Sequence, residues 1–242
     1  MNTRHTFYLV LIIVAASHTA FTSGVRSLKY SGSAVDLHSK TFYYTEEHEE
    51  VTVNGVHTST GISYKDQSGT VFANKTISFS GGQTAPSFLQ KDLRDGSMEG
   101  AQVSGNTVTL VYKKNTDTPQ KSKTLTVPSP LVVDGGFNYF VKKHWAAMLL
   151  GKQVTFNFAV PSQLDYFAFR IQKQSETIYN GKKAIIIKMD ADSYIIRQLV
   201  DPVLLTYDTE TMRLMKYEGI SNISDSNGKN YQVQLTYPTV GP

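Results

Sequence analysis

Not one cysteine occurs in the 242 residues. Disulfides, thiolate metal sites and a lipidated N-terminal cysteine are therefore excluded. A chain of this length without disulfides must be held by its own core. No apolar run reaches the roughly 18 residues that a membrane-spanning helix needs. Tryptophan occurs once, as Trp145, and charged residues make up only 18% of the chain. There is no HExxH, no phosphate-binding loop, no dinucleotide fingerprint and no Gly-x-Ser-x-Gly turn. These absences remove the sequence signatures of zinc hydrolases, nucleotide-binding enzymes and α/β-hydrolases. Any catalytic site would have to be assembled from distant residues. Polyanion binding is equally unsupported. The densest basic stretch, Lys113, Lys114, Lys121 and Lys123, reads as a solvated hairpin, so no nucleic-acid partner is expected.

What is present is aromatic and apolar. Tyrosine and phenylalanine number 14 and 12, and hydrophobic residues reach 40%. That is ample for a core and weighted toward sheet. Met1–His5 carries Arg4, and Thr6–Ala16 is an apolar run of secretory length followed by small residues. Residues 1–23 are read as a signal peptide and 24–242 as a single β-rich domain. Removal of 1–23 takes away Arg4 and no other charged side chain, so the net charge of +4 becomes +3. The expected location is periplasmic or secreted, and the missing cysteines favour a bacterial periplasm.

The chain is organised around Leu131–Pro161. Phe137, Phe140, Val141, His144, Trp145, Met148 and Leu149 recur at helical spacing, with Asp134 as an N-cap and Gly151 as a stop. Val154, Phe156, Phe158 and Val160 then alternate as a strand. Nearly everything else also alternates. Asn54-Gly55 and Asn180-Gly181 mark hairpins. Ten or eleven strands joined by short turns must run mostly antiparallel and cannot stay flat. The fold class is therefore mainly β: a strongly curved antiparallel sheet or open β-barrel wrapped around one main α-helix, Phe137–Leu150. Gly81–Gly96 interrupts the pattern and reads as a long loop able to gate a site.

Three groups could carry chemistry. Glu46, His48 and Glu50 share one strand face and could hold a divalent metal, but an edge strand with solvated charges explains them more simply. No metal and no cofactor are expected. Asp92, Asp95 and Glu99 surround Arg94, and with His144 they could form a hydrolase site at the 81–100 loop. The third group is the surplus of apolar side chains. If the sheet curls around the helix without closing tightly, Phe137, Phe140, Val141, Trp145, Phe156, Phe158, Phe167 and Phe169 line a cavity for a hydrophobic ligand.

The stretch from Leu199 to Asp208, with Leu214, Tyr217-Glu218-Gly219 and Ser221-Asn222-Ile223, resembles uncharacterised exported proteins of Gram-negative bacteria. Asp134-Gly135-Gly136-Phe137 fits the same resemblance. The layout is also similar to the periplasmic lipoprotein carriers of the LolA type, which bind acyl chains between a curved sheet and helices. The resemblance implies an exported, non-catalytic protein that binds a hydrophobic small molecule or lipid. The alternatives are the envelope hydrolase and a module that offers an edge strand, Thr41–Val53, to an envelope protein partner.

Overall fold

The computed structural model describes residues 24–197 and 201–238. The signal peptide read at residues 1–23 lies outside the described residues. Strands β1 (Val25–Asp36), β2 (Phe42–Val53), β3 (Val56–Lys65), β4 (Val71–Ser78), β5 (Ser87–Asp92), β6 (Met98–Ser104), β7 (Thr107–Lys113) and β8 (Lys121–Thr126) come first. The chain continues through β9 (Leu131–Val132), α1 (Phe137–Lys143), α2 (Trp145–Leu149), β10 (Val154–Val160), β11 (Asp165–Tyr179) and β12 (Lys182–Ala191). It ends with α3 (Tyr194–Arg197), β13 (Val203–Asp208), β14 (Leu214–Ser224) and β15 (Asn230–Thr236).

All fifteen strands form one sheet in the order β8 to β1, then β15 to β9. The first strand pairs with both β2 and β15. Two meandering arms therefore run outward from a β1/β15 seam to the edges β8 and β9. Every pairing is antiparallel except the short one between β9 and β10. The arms curl toward each other. Strands β6 and β7 touch the 3-10 turn Pro161–Gln163, and Lys123 on β8 pairs with Asp165 on β11 at 3.3 Å. No ladder joins the edges, so the sheet is curved and barrel-like but open.

Turn chemistry fixes the hairpins. Asn54 and Gly55 both take positive φ, 53° and 79°, as a two-residue turn matching the strand twist requires. The Gly81–Gly96 segment is not the single long loop that its sequence indicates. It contains β5, paired with β4 and β6. The inward positions of β5 are Phe88, Gln90 and Asp92, and two polar residues there hide the apolar alternation. Thr41–Val53 is not an edge either, because β2 lies between β1 and β3. Glu47 and Glu49 point outward to Lys65 and Lys29, while Glu46 is buried and His48 and Glu50 are half-buried. The edge reading fails because β1, polar and rich in small residues, covers it.

The helix is interrupted. The backbone N–H of His144 is shared between the carbonyls of Phe140 and Val141, both at 3.2 Å, which tightens the turn and separates α1 from α2. Asp134 does not cap α1. It opens a 3-10 turn at φ 39°, and one of its oxygens accepts the Gly135 N–H at 2.7 Å. Gly136 presses against the Thr84 carbonyl and Pro86, leaving no room for a Cβ. That close approach seats the start of α1 on the β4–β5 connection.

Two apolar clusters result. One fills the first arm together with β14 and β15. In the other, Phe140, Val141, Trp145 and Met148 from the helices meet Phe156, Ile171, Ile185, Ile187, Leu205 and Tyr207. Each such side chain contributes roughly 1.5–3 kcal/mol by leaving water. One group opposes this. The Tyr207 hydroxyl is buried with no hydrogen-bond partner among the described residues. A buried unsatisfied hydroxyl costs about 1–3 kcal/mol. Tyr207→Phe is therefore expected to raise the stability measured by urea unfolding by about 1 kcal/mol. A loss of stability would mean that the hydroxyl has a partner in solution.

Candidate functional site

A polar band runs round the inside of the first arm. Because side chains alternate along a strand, register decides which residues share it. Tyr30, His48, Ile62, Lys75, Gln90, Glu99 and Tyr112 are successive partners across β1 to β7. Ile62, Lys75 and Gln90 are buried, so the band faces inward. The Lys75 ammonium, only 4% exposed, donates to Asp134 Oδ2 at 2.6 Å. Gln90 crosses the interior to β14. Its amide donates to the Asn222 carbonyl at 2.9 Å and accepts from the Asn222 side chain at 2.7 Å.

A second polar group lies beside the seam. Glu46 Oε2 accepts from Tyr237 Oη and His48 Nε2, both at 3.0 Å. The His48 ring stacks on Tyr30, and the Tyr30 hydroxyl donates to Glu50 at 2.8 Å. Tyr44 and Ser221 hydroxyls meet at 2.7 Å. Toward the helix, the Tyr139 hydroxyl donates to His57 Nδ1 at 2.7 Å, and His57 Nε2–H faces the Ser59 carbonyl and the Thr60 hydroxyl. Glu46 and Lys75 both act on Tyr217, so the two groups border one interior space.

Tyr217 and Tyr237 pack, partly buried, against the apolar cluster of the first arm. Glu99, Tyr217 and Tyr237 are surrounded by protein on nearly all sides. Each nevertheless keeps accessible surface. All three side chains lie on the inward side of the first arm and keep part of their surface. Burial pushes the Glu99 carboxyl up to about 7, with Lys75 lowering it and Asp134 raising it. The same burial raises the tyrosine hydroxyls, with Glu46 adding to it at Tyr217 and Tyr237. The inward side of the first arm thus combines hydroxyls, an amide, one carboxyl raised to about 7, and apolar ring faces.

The residues read as ligand-lining gather around the helix–sheet cluster. Phe140, Val141, Trp145 and Phe156 are buried in the helix–sheet cluster. Phe137, Phe158 and Phe169 pack against that cluster, and Phe167 is 37% exposed. The hydrolase set is dispersed. Asp92 is held by Arg94, Asp95 accepts from the Ser97 backbone, His144 packs on Phe140, and Glu99 lies in the inward band beside Gln90. No ion pair or hydrogen bond links any two of the four among the described residues. Nor does any group of three metal-ligating side chains converge among them.

Lys75, Tyr64 and Tyr237 carry no mark as site residues in the sequence, and Tyr217 enters there only through the resemblance. A signal existed for one of them. Ala73, Lys75, Ile77 and Phe79 alternate on one strand face, and a lysine in such a row must find a buried partner. Tyr44, Tyr64 and Phe72 form an aromatic layer with edge contacts at 5.8 and 6.2 Å. Beyond it lies an outer cleft of about 300 Å³ between Arg94, Tyr43 and Tyr231.

No family model matches the chain, and no curated protein matches it. Among solved structures, a β-barrel-like protein of the domain of unknown function DUF1849 from Brucella abortus is similar to it. The TM-score is 0.48 at 7% identity, over 88% of this chain and 98% of that one.

Proposed function

We propose that the protein is an exported, non-catalytic binding protein that encloses one small amphiphilic, lipid-like molecule in the lumen beside α1. The accessibility of Glu99, Tyr217 and Tyr237 deep in the fold carries this reading. The apolar cluster behind α1 holds the helix rigidly, so the ligand lies on its Tyr139 side. In this reading Phe140 and Phe156 support the wall rather than touch the ligand. A lumen mixing ring faces with a few fixed polar groups suits a molecule with an apolar body and a polar end. Burying the apolar part supplies about 0.8 kcal/mol per methylene.

A second reading is supported by β8. It is an edge strand with its side chains exposed on both faces. A protein partner in the envelope could add a strand there.

Native mass spectrometry of the mature protein, purified from an envelope extract, separates these readings. The expected result is a near-stoichiometric extra mass that is released on denaturation and identified by lipid analysis. Absence of retained mass, together with no uptake of laurate or dodecanol, would overturn the lumen reading. A species with the mass of a second protein would favour strand addition at β8.

A further inference from the structure

The outer cleft of about 300 Å³ gathers side chains from five separate parts of the chain. Asp66 comes from the β3–β4 turn, Leu93 and Arg94 from the β5–β6 turn, Phe72 from β4, Tyr43 from β2 and Tyr231 from β15. Arg94 is held firmly. Its Nε and Nη2 donate to Asp92, and Nη2 also reaches the Ser224 carbonyl at 2.9 Å. Its Cζ lies 4.2 Å from the centre of the Phe72 ring. Nη1 takes part in none of these bonds. Asp66 is held through one oxygen. Its Oδ1 accepts from the Ser68 and Thr70 N–H groups and from the Ser68 hydroxyl. Its Oδ2 has no hydrogen bond or ion pair among the described residues. The Tyr43 and Tyr231 rings stack in the same cleft with centres 4.1 Å apart, so each gives one face to its partner and keeps the other. Leu93 adds an aliphatic side chain that is 60% exposed and belongs to neither apolar cluster.

We propose that this cleft is a second binding site, which takes a single neutral sugar ring. Asp92 already matches the charge of Arg94, so the unmatched charge in the cleft is that of Asp66. That charge disfavours an anion, and the guanidinium in the same cleft disfavours a cation. A hydroxyl both donates and accepts. A polyol can therefore donate to Asp66 Oδ2 and accept from Arg94 Nη1. The polarised C–H bonds of a pyranose suit the negative face of a tyrosine ring. A volume of about 300 Å³ is at the small end for ligand sites, which fits one ring rather than a chain. The cleft lies beyond the Tyr44, Tyr64 and Phe72 layer, so this site and the lumen reading stand or fall separately.

Saturation-transfer NMR on the mature protein tests this with methyl α-glucoside, methyl α-galactoside, methyl α-mannoside and N-acetylglucosamine. Benzyl alcohol, benzylammonium and glucose 6-phosphate serve as neutral aromatic, cationic and anionic controls. At least one neutral sugar is expected to bind more tightly than all three controls, with its ring C–H protons receiving the most saturation. Asp66→Asn keeps the oxygen that holds the turn and puts a donor in place of the other. It is expected to weaken that sugar about tenfold. Tyr231→Leu removes a stacking face and is expected to weaken it as well. Urea unfolding of both variants checks the fold, and Asp66→Asn alone decides if Tyr231→Leu is destabilised. Failure of every sugar to bind would overturn the proposal. Tighter binding of benzylammonium or benzyl alcohol would make the cleft a site for a cation or an arene and end the sugar assignment. Tighter binding of glucose 6-phosphate would show that Arg94 acts as an unmatched charge, with the same consequence. Sugar binding that Asp66→Asn leaves unchanged would lie elsewhere on the molecule, and the cleft would lose its role.

Discussion

Replacement of Lys75 by methionine is expected to destabilise the protein by about 3–5 kcal/mol, the usual result of removing one member of a buried ion pair. Lys75 is 4% exposed and bonded to Asp134 at 2.6 Å. Methionine fills the same volume, so the cost is electrostatic. Asp134 would stay enclosed without its partner, and Glu99 would lose the one nearby charge that favours its ionised form. Asp134 also holds the start of α1 through the Gly135 N–H. The damage should therefore spread from the lumen to the helix, seen as a loss of Trp145 fluorescence anisotropy below the unfolding midpoint. A Lys75→Met/Asp134→Asn double variant should recover a large part of the loss, because replacing both charges removes the stranded one. Urea unfolding of the three proteins decides this. If the single and double variants are equally destabilised, the pair acts through packing rather than charge.

The same ion pair shows what could be read from the sequence and what could not. Periodicity is local, so the helix from Phe137, the β10 alternation and the Asn54-Gly55 hairpin were all legible. A curved antiparallel sheet followed from many short turns. The joining of β1 to β15 was not legible, because it pairs residues almost the whole chain apart, Ser33 with Thr236 among them. With that seam unknown, β2 looked like an edge and its Glu46 and His48 looked solvated. β5 was hidden for a related reason. Gln90 and Asp92 occupy inward positions that are apolar in an ordinary strand, and they are acceptable there because Asn222 and Arg94 satisfy them. The candidate ligand residues were legible by hydrophobicity, which marks a packed cluster. The polar residues in inward register, such as Lys75 and Glu99, were not. Recognising them requires knowing which strands are neighbours.

Glu99→Gln is expected to flatten the dependence of stability on pH. The folded chain holds this carboxyl at about 7, against an ordinary value of 4.5. Between those values the folded state binds the proton and the unfolded state releases it. The unfolded state then binds fewer protons, so stability falls as pH rises. The loss begins near pH 4.5 and is complete above about pH 7. At about 1.4 kcal/mol for each tenfold change in proton affinity, it amounts to ~3 kcal/mol. Glutamine imitates the protonated acid and cannot ionise. The two proteins should be nearly equal at pH 4.5, and the variant should be more stable by ~3 kcal/mol at pH 8. The groups facing Glu99 are Lys75, Asp134, Gln90 and Tyr112. Lys75, Asp134, Gln90 and Tyr112 are common to both proteins, so the difference isolates Glu99. Urea unfolding at four pH values between 4.5 and 8 measures it. A constant difference across that range would mean that water solvates Glu99 freely. The lumen would then be an open, wet cleft, and an apolar ligand body would gain little by entering it. A difference that grows with pH would show a dry interior around Glu99.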